Sequence, residues 1–569
     1  MSGLARQLLD LIEQARRQGG ADAAAAAARA ATRRHPRFAP AWRFLANDLL
    51  ASPDPAHLDE AVAAFREAER LQPGHPPTLV NLAVALRRAG RADDAAALLA
   101  DLVQARPDFV PAWFNLGNAH HHAGRHDAAA RAYRRVLELQ PDHAGALRNL
   151  ANALIDLRRL DDARAVLHAA LALERTAARL VALARLEEQR RAPDEARALA
   201  EEALTIEPTC TEAHLLLATL ERAAGHHDEA ITRLQRVVDD AAAGPHRASA
   251  LVQLGHALDR AGRYHEAFEA FAAGQALLEA QAPDAAARSR EGCARIRSWA
   301  ALIAPTARPA GSPKPTSRPP VFLVGFPRSG TTLLEQLLAA HPDFVTSVER
   351  PLLQRALAAA PPEGESLRSW PEPLATLDVA AVERIRTAYA EACAAEFGPA
   401  HRRVVDKQPL NLVYADAIDR VFPDARLLVA LRDPRDVCLS CFFQDFGKDA
   451  AGHFYRLEST VDLYDAVMGH WLERRTALAM PWLEVRYEDL TDDVEGVARR
   501  VIEFTGAPWD EGVLEYAAAA ARRPVSTPSY HAVTRPVYRT AVARWRAYED
   551  RIRPFLPRLQ PCLEAFGYV

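Results

Sequence analysis

From about Ala39 to Gln281 the chain sets apolar positions at helical spacing and interrupts them with recurring turn residues. Prolines stand at Pro73, Pro107 and Pro141, two intervals of 34 residues, and Pro208 lies 67 further on, room for one 34- and one 33-residue step. Pro36 lies 37 before Pro73, with the extra residues around Ser52-Pro53-Asp54-Pro55. Between the prolines, Ala-Gly followed by Arg or His recurs at Gly90, Gly124, Gly225 and Gly262, then an acid and alanine. Glycine there can take the left-handed conformation that ends a helix, and the acid suits the start of the next helix. The pattern predicts roughly seven helical hairpins by this 34-residue period, with a further helix pair before them. At residues 304–320, APTARPAGSPKPTSRPP, six prolines and little to bury predict a semi-rigid spacer. Beyond it the period changes. VFLVG, RVV, RLLVAL and WLEVR read as short strands ending in polar loops, and the first runs through a turn into an amphipathic helix.

The clearest hairpin runs Trp113, Leu116, Gly117, Ala129, Tyr133, Pro141. It resembles the tetratricopeptide pattern W-x2-L-G … A-x3-F/Y … P, with His120 at the usual mid-helix Tyr. The resemblance implies an all-α solenoid, residues 1–303, whose groove is either a scaffold surface or a holder for a protein partner. A homodimer through the array stays open. Length supports more than one domain, since 569 residues exceed one hydrophobic core. With 49% hydrophobic and 25% charged residues and a net charge of -4, nothing points to nucleic acid or an anionic membrane, so any anion site is local. The N-terminal MSGLARQLLDLIEQARRQGG contains acids and lacks a signal core, and no apolar run reaches about 18 residues. Six cysteines give no disulfide framework and suit a reducing compartment. These observations predict a cytoplasmic protein without a membrane partner. No metal is expected: His120, His121, His122 and His126, and His226 with His227, read as solvated turn residues, and Cys438 and Cys441 lack a second ligand pair.

Chemistry concentrates after the spacer, in residues 321–569. Strand VFLVG, loop and helix start form an anion cradle, because loop N–H groups converge and the helix dipole favours negative charge. Gly325-x4-Gly330 has P-loop spacing, yet Thr331-Thr332 replaces the Lys-Ser/Thr a kinase or ATPase needs, and Arg328 supplies the cation instead. Pro327-Arg328-Ser329-Gly330-Thr331-Thr332-Leu-Leu resembles the 5′-phosphosulfate loop of sulfotransferases that use 3′-phosphoadenosine-5′-phosphosulfate (PAPS). Arg432, closing the RLLVAL strand, and Ser440 on the next helix resemble the family's clamp for the 3′-phosphate, and Arg435 with Asp436 reads as a surface salt-bridge cluster. Val485-Arg486-Tyr487-Glu488-Asp489-Leu490 resembles the segment whose Tyr, here Tyr487, reaches the nucleotide. Arg535-Pro536-Val537 with Trp545 resembles the segment that closes over it. The fold implied is an α/β P-loop-like domain with a central parallel sheet and its ligand in the crevice at the strand ends.

Within the superfamily the resemblance is to tyrosylprotein sulfotransferases, over most of 321–550. It implies Glu349, 21 residues after Arg328, as the general base, although Ser347-Val348-Glu349 stands where the family often has Gly-Glu-Glu. A surface ion pair with Arg350 is the plainer reading of Glu349, and His341 is the rival base, with a helix-end role expected of it. Asp406-Lys407-Gln408-Pro409 resembles the segment whose Lys, here Lys407, stabilises the transferring group. Ser529, six before Arg535, stands where the family places a hydroxyl near the leaving phosphate. Arg328 completes the catalytic set. The implied activity is sulfuryl transfer from PAPS, without a metal, to an acceptor hydroxyl, with protein or peptide tyrosine favoured. A carbohydrate or small-molecule hydroxyl is the alternative, and a repeat-based adaptor with an inactive nucleotide-binding domain is a second.

Overall fold

The computed structural model describes residues 3–52, 54, 56–240, 244, 246–302, 318–358, 378–399, 402–446, 451–518 and 541–569. Two compact units are present, Met1–Leu220 and Glu221–Val569. The seven expected hairpins run from Ala39–Ala51 with His57–Leu71 to His246–Arg260 with Tyr264–Ala280. Before them stands one 32-residue helix, Gly3–Arg34, in place of the expected pair. Its 32 residues lack a helix-stopping proline, and the one break in helical backbone, Gly20 at φ 74, does not end the element. No helix among the described residues is long and apolar enough to cross a membrane.

In the first unit, alanines such as Ala46, Ala61, Ala83 and Ala95 let helices approach around Leu49, Phe65 and Leu99. Gly117 is needed for space: a Cβ there would lie 2.4 Å from the Tyr133 ring. The proline period has a bonding counterpart. Trp42 Nε1 donates to the Pro36 carbonyl at 2.9 Å and Trp113 Nε1 to that of Pro107 at 3.0 Å. His214 Nε2 makes the equivalent contact with the Pro208 carbonyl at 3.0 Å. The glycine turns are left-handed, with Gly90 at φ 77 and Gly124 at φ 71. Arg158 and Arg191 take the same conformation, φ 60 and 65, in two of the three hairpins where the glycine mark is missing.

The second unit joins the last hairpin to the α/β domain. Five strands, β1 (Val321–Gly325), β2 (Phe344–Thr346), β3 (Arg403–Lys407), β4 (Arg426–Leu431) and β5 (Trp482–Arg486), form one parallel sheet in the order β2-β3-β1-β4-β5. β1 is central and wholly buried, as an apolar VFLVG requires. Packing therefore divides the unit differently from fold type, which changes at the Pro-rich stretch, of which 303–317 lie outside the described residues. Phe271 of the last repeat helix stacks on Phe443 with ring centroids 4.1 Å apart. Gln275 Nε2 donates to the carbonyls of Phe442 and Gln444 at 2.8 and 3.0 Å. The helix Ala285–Leu302 packs along Leu457–Arg474.

Candidate active site

All five strands end on one edge, and Arg328, Glu349, Lys407, Arg432 and Tyr487 stand at or just past those ends. Gly325 closes β1 at φ 148, where a Cβ would meet the Ala430 carbonyl at 2.5 Å. The loop then turns through Arg328 at φ 70 to Gly330 at φ 95, which caps the helix Thr331–Ala340 without any side-chain cap bond. A Cβ at Gly330 would lie 2.7 Å from the Tyr487 ring. The N-cap residue thus offers no side chain to the helix's first N–H groups, an arrangement suited to an anion. Ser329, Thr331 and Thr332 are buried around it, and the Pro327 carbonyl accepts from the Cys441 thiol at 3.3 Å.

The phosphate motifs meet across this loop. Arg328 Nε donates to Ser440 Oγ at 3.1 Å, although the two are 112 residues apart. Arg432, just past β4, donates from Nη1 to the Arg328 carbonyl at 3.2 Å, and its guanidinium lies 5.1 Å from the centre of the Tyr487 ring. Its Nε is buried and has no hydrogen-bond partner among the described residues. A buried donor left over beside a cradle of N–H groups is what an incoming phosphate oxygen would satisfy. Ser529 and Arg535 lie outside the described residues.

The second cluster forms at the ends of β2 and β3. Lys407, 0% exposed, places Nζ 2.6 Å from Glu349 Oε1 and 3.1 Å from Glu335 Oε2. Glu335 is also fully buried, and neither of its oxygens makes a well-aligned hydrogen bond, so its link to Lys407 is a charge contact. Burial pushes its carboxyl above the usual carboxylate range, with Lys407 opposing the shift. Sequence reasoning missed Glu335, because Thr331, Thr332, Glu335 and Gln336 in TTLLEQLLAA read as the polar face of an amphipathic helix, and all four are buried. Val348 and Glu349 both take positive φ, 46 and 62, and the turn is pinned by Ser347 N–H to the Val405 carbonyl and Glu349 N–H to the Lys407 carbonyl.

Glu349 does not pair with Arg350, which instead faces Glu396 at 3.4 Å. His341 is buried as the helix's C-cap residue; Nε2 donates to the Pro508 carbonyl at 2.7 Å and Nδ1 accepts from the Asp343 N–H, so both nitrogens are occupied. Asp406 is buried beside Lys407, and loss of solvation raises its carboxyl to about 7. The Arg435–Asp436 surface cluster does not form. Arg435 pairs with Asp433 at 2.7 Å and stacks 3.9 Å from the Trp545 ring centre, while Asp436 is buried and accepts from the Trp545 N–H at 2.7 Å. Cys438 and Cys441 are free and buried, with the Cys441 thiol pushed by burial up to about 12, so neither is a ready thiolate. His121 and His126 are half-buried rather than solvated, because Asp156 of the next hairpin lies 3.7 and 3.4 Å from their ring nitrogens.

Residues 319–511 match the family described as "Sulfotransferase family", and residues 80–144, 120–186 and 189–254 match tetratricopeptide repeats. A protein of Aquifex aeolicus named only as uncharacterized is 33% identical over 256 residues, 43% of this chain and 32% of that protein. The protein-tyrosine sulfotransferase of Drosophila melanogaster is 26% identical over 265 residues, 44% of this chain and 52% of that one. Protein-tyrosine sulfotransferase A of Caenorhabditis elegans is 26% identical over 266 residues, 44% of this chain and 67% of that one. The chain therefore spans about a third to two thirds of the length of these relatives.

Proposed function

We propose that this chain, in which tetratricopeptide repeats precede a sulfotransferase-family domain, moves the sulfuryl group of PAPS to an acceptor hydroxyl, with tyrosine in a protein or peptide as the acceptor. The observation that carries this reading is the meeting of Arg328, Ser440 and Arg432 around a cap-free helix start, with the Glu349–Lys407 pair on the same edge of the sheet. An ATP-type site requires a lysine where Thr331 stands, whereas two separate arginines suit a nucleotide phosphorylated at both 5′ and 3′ positions.

In this reading the loop N–H groups and Arg328 hold the 5′-phosphosulfate, and Arg432 and Ser440 hold the 3′-phosphate. The acceptor oxygen attacks sulfur as its proton passes to Glu349. The bond between sulfur and the bridging 5′-phosphate oxygen breaks, leaving a sulfate ester and adenosine 3′,5′-bisphosphate. Lys407, retained by Glu335, turns from Glu349 to the sulfuryl oxygens as charge spreads over them, so positioning and electrostatics do most of the work. The tyrosine acceptor is proposed by similarity to the protein-tyrosine sulfotransferases of Drosophila melanogaster and Caenorhabditis elegans, and the repeats offer the surface on which a protein acceptor would dock. The cytoplasm, where PAPS would have to be supplied, is the proposed location.

Calorimetric titration with adenosine 3′,5′-bisphosphate tests the nucleotide site. Wild type is expected to bind and Arg432→Ala to lose most of the affinity. With PAPS and tyrosine peptides, Glu349→Gln is expected to cut kcat by about 10²–10⁴-fold with binding of the bisphosphate retained. A wild type that fails to bind the bisphosphate sinks the proposal. Turnover of sugars but not of peptides moves the acceptor to a carbohydrate.

A further inference from the structure

The first helix of the last hairpin, His246–Arg260, reaches the segment beside the nucleotide motif through Asp259. Asp259, near the end of His246–Arg260, is 7% exposed although it carries a charge. Its carboxylate accepts from the Tyr548 hydroxyl at 2.6 Å and from Arg544 Nε at 3.1 Å, and it forms an ion pair with the same guanidinium. Burial and the neighbouring carboxylate hold the Tyr548 hydroxyl far above its usual range, so it stays a donor. Both partners belong to the short 3-10 turn Arg544–Tyr548.

That turn is held from its other side by the nucleotide motif. The Trp545 N–H donates to Asp436, and the Trp545 ring lies against Arg435. The carbonyl of Ala541 accepts from Arg432 Nη2 at 2.6 Å. The segment 541–548 is therefore pinned at two ends, on a repeat helix and on the helix Pro434–Phe442 that carries Ser440. Ala543, at φ 56, bends it between the anchors. A buried carboxylate serving two donors is costly to place unless both bonds are kept, so Asp259 fixes where the turn lies.

We infer that Asp259 is a positioning residue for the 3′-phosphate: by anchoring 541–548 it sets the guanidinium of Arg432, which meets the 5′-phosphate loop only at the Arg328 carbonyl. The inference rests on the PAPS reading above. It makes the terminal repeat part of the nucleotide site instead of a separable arm.

The test compares two ligands on the full chain. Adenosine 3′,5′-bisphosphate uses both phosphate sites, and adenosine 5′-monophosphate uses only the loop. Asp259→Asn is expected to weaken the bisphosphate by about tenfold and the monophosphate by less than about twofold, as loss of one partner of a buried charge pair felt at a single subsite. Tyr548→Phe, which removes one hydroxyl and keeps the ring, is expected to shift the same ratio by about threefold. It carries the test if Asp259→Asn does not fold. Equal weakening of both ligands would mean general loosening and would overturn the inference, as would no change in either. A wild type that does not distinguish the two ligands takes down the PAPS reading and this inference with it.

Discussion

Asp406 stands next to Lys407, buried near the end of β3. Its oxygens accept from the hydroxyls of Tyr389 and Ser347 at 3.3 and 3.4 Å, deep inside the domain. Burial raises the folded carboxyl to about 7 from the ordinary 3.8. Because the folded value lies above the unfolded one, the native state holds this proton more tightly. The stabilisation is complete below about pH 4 and is lost as the pH rises through about 7. Asp406→Asn is therefore expected to gain on wild type in thermal stability as the pH rises from 5 to 8, read as melting curves of both proteins in parallel. Glu335 poses the complementary question at the other side of Lys407. Replacing it by Gln keeps the volume and removes the charge that retains the ammonium. Lys407 is then held by Glu349 alone, with nothing drawing it back toward the helix, and kcat is expected to fall on the order of 10²-fold, as for a misplaced catalytic group, with the affinity for the bisphosphate unchanged. An equal loss in both quantities would make Glu335 a purely structural residue. Residue types at both positions were readable in the sequence, but burial was not. Nothing in LLEQLL tells that the helix is enclosed on every side, and nothing in DKQP tells that its aspartate sits beneath two hydroxyls.

At the scale of elements, periodic features were legible and their exceptions were not. The 34-residue step gave the seven hairpins, because proline and glycine act through backbone geometry that the sequence states directly. Gly124 and Gly117 show that one residue type serves two purposes within a single hairpin. Gly124 has φ 71 and open space around a Cβ, so its cost is conformational; Gly117 lies in a helix with the Tyr133 ring where a Cβ would go. Gly124→Ala is expected to cost about 1–2 kcal/mol, and Gly124→Asn less, since Asn tolerates the left-handed region. At Gly117 the order reverses, because space is limiting. Ala costs about 1–3 kcal/mol by overpacking, and Asn more. Thermal or denaturant melts of the four variants check the crossing, and parallel orders at both sites would refute it. Arg158 and Arg191 hid two hairpin turns for the same reason in reverse: each adopts the left-handed turn without glycine. Four of the five strands were readable as short runs ending in polar loops, whereas the three-residue β2 and the sheet order β2-β3-β1-β4-β5 rest on long-range pairing that no local pattern encodes.

At the scale of the molecule, the composition shift at the Pro-rich stretch marks where helices give way to a sheet, but not where packing stops. The compact unit that contains the sheet begins at Glu221 and includes the last hairpin. Its joint is aromatic: Phe271 is fully buried, stacks on Phe443, and Phe443 in turn lies 4.9 Å from Tyr548. An aromatic pair of this kind adds to the area it buries, so Phe271→Ala is expected to cost about 3–5 kcal/mol. The distribution of that cost is the informative quantity. If repeat and sheet fold as one cooperative body, amide exchange should speed up together in the helix Tyr264–Ala280 and in β4, whose Leu428, Val429 and Ala430 are wholly buried. Nucleotide affinity should weaken alongside, because Phe443 follows the helix that bears Ser440. Deprotection confined to Tyr264–Ala280 would show instead that the hairpin opens by itself, and the sheet would then hold its phosphate motifs without help from the repeats.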